Sequence, residues 1–181
     1  MHYLYLFVGR SGSGKTQLTN ALAEHFGAKI IQSYTTRAKR EPNETGHIFA
    51  ETKDYFKAKA QNIVVEETIF SGNYYSAQSD QIEECDFYVV DPKGVSDVKK
   101  AYANGIIDKK PFIIKLAVSR KEAAKRMKKR GDSPNNIQTR LMNDDLIFND
   151  FYHDAKINAN ADFENVLKEA ISIIEKQEKQ K

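Results

Sequence analysis

Leu4-Tyr5-Leu6-Phe7-Val8 runs directly into Gly9-Arg10-Ser11-Gly12-Ser13-Gly14-Lys15-Thr16. An unbroken apolar run of this length suits a buried strand. The eight residues after it match the spacing G-x-x-x-x-G-K-[ST]. Behind them Leu18, Leu22 and Phe26 recur four apart, which predicts a helix over 15–26 that Gly27 ends. Strand, glycine-rich turn and helix in this order form a cradle for a polyphosphate. Glycines let backbone N–H groups curl around an anion, and the helix N-terminus adds a favourable dipole. In such a cradle Lys15 reaches the β- and γ-phosphates and the Thr16 hydroxyl holds Mg²⁺. The motif predicts nucleotide binding and leaves the reaction open.

Outward from the loop, apolar segments alternate with helical patterns, the signature of an α/β domain around a largely parallel sheet. Short strands are expected at Lys29 to Gln32, Phe87 to Asp91 and Phe112 to Val118. Helices are expected at Val95 to Ala103, Lys121 to Arg130, Ile137 to Phe148 and Asp162 to Lys176, with a frayed tail beyond. Gly131 to Asn136 reads as a loop. Between Ser33 and Glu84 polar turns interrupt short apolar runs, which marks an insert with a small fold of its own. The 181 residues suit one domain, and 40% hydrophobic residues supply a core. Lys and Arg number 28 against 25 Asp and Glu, a balance that argues against coating nucleic acid by bulk charge. A single cysteine, Cys85, excludes an internal disulfide and a cysteine-rich zinc site and points to the reducing cytoplasm. No apolar run reaches membrane-spanning length.

Three clusters outside the phosphate loop carry possible chemistry. Arg37 and Arg40 stand three apart and would grip one anion if the segment curls, or form a solvated basic loop. Glu66 precedes Phe70-Ser71-Gly72-Asn73-Tyr74-Tyr75. Its carboxylate would accept N–H bonds from a base edge, or be a solvated charge at a strand end. Arg126 and Arg130 leave the same face of one helix and Arg140 lies on the next, either as anion ligands or as part of an exposed basic face.

Taken in order, these pieces resemble the guanylate kinase family, the P-loop kinases of GMP. The resemblance rests on the phosphate loop, Thr35-Thr36-Arg37-x-x-Arg40, Phe70 to Tyr75, Asp91-x-x-Gly94-Val95, Arg126-x-x-x-Arg130-Gly131, Ile137-x-x-Arg140-Leu141 and Ile157-Asn158. It implies a three-layer α/β/α P-loop fold with a parallel sheet core over 1–32 and 85–181. It also implies a small mixed insert for the nucleoside monophosphate over 33–84 and a short lid at about 126–140. The activity implied is ATP- and Mg²⁺-dependent phosphoryl transfer to GMP or dGMP. Gly9, Ser11, Gly12, Ser13, Gly14, Lys15 and Thr16 would hold ATP, Thr16 the metal, and Asn158 would line the adenine pocket. Lys15, Arg126, Arg130 and Arg140 would act on the transferring group. Arg37, Arg40 and Tyr75 would grip the acceptor phosphate, with Asp91 near it. Glu66 would read the guanine N1 and N2 hydrogens and Ser33 its O6. The partners implied are small nucleotides, with neither nucleic acid nor membrane, for a monomer or homodimer.

Several positions depart from the family pattern. Asn43, flanked by Glu41 and Glu44, stands where the family has Glu. The family's next phosphate-binding tyrosine is missing, with His47 or Phe49 near its place, Ser76-Ala77 replaces Gly followed by Ser or Thr, and Val89 replaces an acid. All fall in or beside the acceptor half. They leave two alternatives: a kinase of the same fold for another phosphorylated acceptor, and a non-catalytic binding module.

Overall fold

The computed structural model describes residues 1–39, 42–44, 46–70, 72–148 and 151–180. Its centre is a four-stranded sheet of β1 (Tyr3–Val8), β6 (Phe87–Val89), β7 (Lys110–Ala117) and β8 (Ala155–Asn158), all parallel, in the order β6-β1-β7-β8. Side chains of β1 alternate between two buried faces, as strand geometry requires. Leu4, Leu6 and Val8 enter one apolar cluster, while Tyr5 and Phe7 enter the other. α4 (Pro92–Ala103) covers the first face through Val95, Val98 and Ala101. α1 (Lys15–Phe26) and α7 (Phe163–Glu178) cover the second through Leu18, Leu22, Val166, Ala170 and Ile174. This is the expected three-layer arrangement.

The chain between β1–α1 and β6 builds a second, mixed sheet in the order β3-β2-β5-β4, from β2 (Tyr34–Thr35), β3 (Ile48–Phe49), β4 (Val64–Phe70) and β5 (Asn73–Gln78). Two short helices belong to it, α2 (Thr52–Ala60) and α3 (Ser79–Glu84). A capping box between Glu51 and Asp54 starts α2. Val65, Ala77 and Ile82 from this region enter the cluster under α4 and fasten the second sheet to the core.

After β7 come α5 (Arg120–Lys129) and α6 (Pro134–Ile147), which pack on each other through Ala123, Met127 and Leu141. Three local expectations change. Lys29 to Gln32 forms one isolated bridge, Ile30 to Phe87, because the chain turns away to start the insert. The expected loop to Asn136 ends sooner, since Ser133 caps Asn136 N–H and Pro134 opens α6. The expected frayed tail is helical to Glu178, whose carboxylate accepts from His2 N–H and, at 2.9 Å, from the Tyr5 hydroxyl.

Candidate active site

The turn from β1 into α1 is built for close approach. Gly12 and Gly14 take left-handed backbone angles, φ 75° and 88°. A Cβ at Gly12 would stand 2.7 Å from the Ala123 carbonyl oxygen, and one at Gly9 would stand 2.6 Å from that of Leu116. Both neighbours are backbone and cannot yield, so the turn lies flat against β7 and α5 only with glycine there. The Lys15 ammonium folds back onto the carbonyl oxygens of Gly9 and Arg10. Burial pushes Lys15 down to about 8, aided by the charges of Arg130 and Arg140 and opposed by Asp144.

A cleft of about 680 Å³ opens over this turn. Ser11 to Thr16 form one wall, and Arg126, Arg130 and Arg140 come from the opposite side. Ala159, Ala161, Phe163 and Val166 give it an apolar end. Arg126 is held by the carbonyl oxygens of Gly12 and Ala159, at 3.4 and 2.8 Å, and by Glu122. Arg130 makes two bonds to Asp132. Gly9 supports the turn from behind the cleft. Asn158 does not line the cleft: its side-chain oxygen accepts from Asn160, and it faces a neighbouring groove with Ser119 and Lys156. The Thr16 side chain is exposed at the cleft, and its hydroxyl oxygen suits a hard cation such as Mg²⁺ bound mainly through phosphate oxygens.

One contact at the turn had no place in the sequence reading. Asp144, nine-tenths buried on α6, accepts the Ser11 N–H at 2.8 Å. Its neighbour Asp145 pairs with Arg10 at 3.0 Å and also with Arg120. Arg140 and Asp144 are four apart on one helix, so the bond to Ser11 also turns Arg140 toward the cleft. That spacing was the available signal.

The expected acceptor residues fall into two groups on the second sheet. In the first, Arg37 makes a two-point pair with Glu44, at 2.6 and 3.2 Å, and its guanidinium lies 5.5 Å over the Phe49 ring. The acid that meets Arg37 is thus Glu44, one residue beyond Asn43. Arg37 Nε is buried with no hydrogen-bond partner among the described residues, a donor still to be satisfied. The Tyr75 hydroxyl is within reach of the same guanidinium. Ser33 Oγ is 3.0 Å from His47 Nδ1, and the His47 ring stands edge-on to Tyr75 at 5.5 Å. His47 thus joins Ser33 to Tyr75, a role no sequence pattern announced. Tyr74 stacks on Tyr55 at 4.2 Å and serves packing. Arg40 lies outside the described residues.

The second group surrounds Glu66, which is only 6% exposed on β4. Tyr88 Oη donates to it at 2.7 Å and Thr68 Oγ1 at 3.2 Å. Burial pushes this carboxyl above the usual carboxylate range, and the two hydroxyl donors pull it back. Asp91 caps α4 by accepting Gly94 N–H at 2.8 Å, so the fold uses part of its hydrogen-bonding capacity.

A family model described as guanylate kinase matches residues 1–177. The guanylate kinase of Mycoplasma genitalium is 26% identical over 182 residues, covering 94% of this chain and 74% of its own. That of Cupriavidus metallidurans is 30% identical over 173 residues, 84% of this chain and 78% of its own. The crystal structure of guanylate kinase from Anaplasma phagocytophilum superposes with a TM-score of 0.58 at 18% identity, across 99% of this chain and 87% of that one.

Proposed function

The chain belongs to the guanylate kinase family, and from that premise we propose that it moves the γ-phosphoryl group of ATP to GMP, giving ADP and GDP. The observation that carries this reading is the convergence of Lys15, Arg126, Arg130 and Arg140 on one cleft over the glycine turn. Phosphoryl transfer asks little covalent chemistry of a protein. It asks for two phosphates in line, charge offset where it spreads, and water kept out. The attacking phosphate of GMP is already an anion, so no catalytic base is needed.

In this reading the amides of 12–16 and Lys15 cradle the ATP phosphates, and the apolar end formed by Ala159, Ala161 and Phe163 takes the adenine. Bound through Thr16 and the nucleotide, Mg²⁺ would offset charge on the β- and γ-phosphate oxygens. Arg130 would leave Asp132 and, with Arg140, meet the travelling group. On the acceptor side Arg37 would exchange or share Glu44 for the GMP phosphate, with its unpartnered Nε as a ready donor. Arg40 and Tyr75 would complete that grip, with Asp91 beside it. Ser33 and Glu66 would read the base. Residues 33–84 would act as the acceptor unit and 126–140 as the lid.

The two alternatives lose ground. A binding module has no use for a buried, charge-tuned lysine and converging arginines, and the changes at Asn43 and His47 are accommodated by Glu44 and Ser33. The test is ADP release with ATP and Mg²⁺ against GMP, dGMP, AMP, CMP and UMP, with Lys15→Met as the blank. Turnover with GMP or dGMP is expected. Turnover with a different monophosphate alone would overturn the guanine assignment, and none with any acceptor would overturn the activity.

A further inference from the structure

Glu66 is braced from three elements. Thr68 stands two residues along β4, on the same face of the strand. Tyr88 comes from β6 in the core sheet, 5% exposed, with its ring in the apolar cluster and its hydroxyl aimed at Glu66 Oε2. Gly94, at the start of α4, closes the third side: a Cβ there would lie 3.0 Å from Glu66 Cγ and 2.1 Å from Val90 Cγ2. An ionised carboxylate in such a place is costly unless donors reach it. A carboxylate has about four lone-pair positions, and the described residues fill two of them.

We propose that Tyr88 is a positioning residue for base recognition: by donating to Glu66 Oε2 it fixes the plane of the carboxylate, so that the remaining lone pairs meet the paired N–H donors of guanine. The proposal rests on the base-reading role given to Glu66 above. Tyr88 is suited to the task because burial and the facing charge of Glu66 hold its phenol well above its ordinary value, so it stays a donor. The groups facing Glu66 are Tyr88 and Thr68, whose bonds favour its charged form, Lys93, which does so by its charge, and Asp91, which opposes it. Removing the Tyr88 hydroxyl takes away the largest of the favourable effects. Glu66 then takes up a proton at higher pH, and a protonated carboxyl cannot accept both guanine donors.

The experiment is steady-state kinetics with GMP, AMP and ATP across mildly acid to mildly basic pH, for wild type, Tyr88→Phe and Glu66→Gln. Tyr88→Phe keeps the ring and its packing. It should raise KM for GMP about tenfold with kcat and KM for ATP nearly unchanged. On acidification its KM for GMP should start to climb at higher pH than in the wild type. The GMP phosphate itself titrates near pH 6, equally for all three proteins, so the variant-to-wild-type ratio is the quantity to read. If Tyr88→Phe matches the wild type in KM and in acid onset while Glu66→Gln loses GMP, the proposal falls and the base-reading role stands. A uniform loss of kcat, ATP affinity and thermal stability would make Tyr88 a packing residue and equally overturn it. If Glu66→Gln keeps both its KM for GMP and its preference over AMP, the base-reading role falls and the proposal with it.

Discussion

Lys15 shows how burial tunes a single charge. Its pKa of about 8 lies below that of a free lysine, and a bound triphosphate would restore the proton. Below pH 8 the ammonium is already present and ATP affinity should be flat. Above it each binding event takes up a proton, so affinity should fall about tenfold per pH unit. Titration of the ATP dissociation constant from neutral to basic pH checks this, and Lys15→Met should bind weakly with no such slope. The arginines that face the glycine turn across the cleft should separate by their present partners. Among the described residues Arg130 is held by Asp132 alone, on the surface, so Arg130→Ala should cut kcat roughly 10³-fold and leave Tm nearly unchanged. Arg126 also ties Gly12 to Ala159, so Arg126→Ala should lower both. Paired rate and melting measurements on the two variants distinguish these patterns.

Between residues and the whole fold, the elements around the phosphate turn act by contact. Gly12→Ala would drive a methyl group into the Ala123 carbonyl at a backbone angle that disfavours it. It should abolish ATP binding, read by calorimetry, while the sheet survives. Asp144→Asn would weaken the bond that joins α6 to the turn. Because it also withdraws a charge that favours the Lys15 ammonium, the onset of the ATP pH dependence should move to lower pH. The turn itself was legible from spacing, since glycine, lysine and threonine at fixed offsets have one mechanical purpose. The Asp144 contact was not, because an acid on a distant helix gains meaning only when α6 comes to rest on the turn after β1. The same holds for Tyr88. In sequence it is one more apolar-looking strand residue, and its hydroxyl acquires a role only when β4 is laid beside β6 by α4. His47 lies opposite Ser33 because β2 and β3 pair Tyr34 with Ile48, a register that strands of two residues scarcely announce.

At the scale of the molecule, the alternation of apolar and helical segments was enough to foresee the parallel sheet and its layers. It was not enough to find β8 or α2, whose short and polar sequences carry little periodicity and whose order comes from neighbours. The two faces of the core sheet also differ in what they hold. One cluster contains Val65 and Ala77 of the second sheet and Ile82 of α3 beside Leu4, Leu6 and Val98. The other, among the described residues, contains none from 33–84. Leu22→Ala, within that second cluster, should cost about 2–5 kcal/mol and be felt across α1 and α7, as chemical denaturation of the variant would report. Prying the second sheet loose, by contrast, strips only the face under α4. Amide hydrogens should therefore trade with deuterium in two populations, with β4, β5 and α4 opening together and α1 and α7 later. A monophosphate seated on the second sheet would slow that trade in α4, a helix of the core, and leave α7 at its own pace.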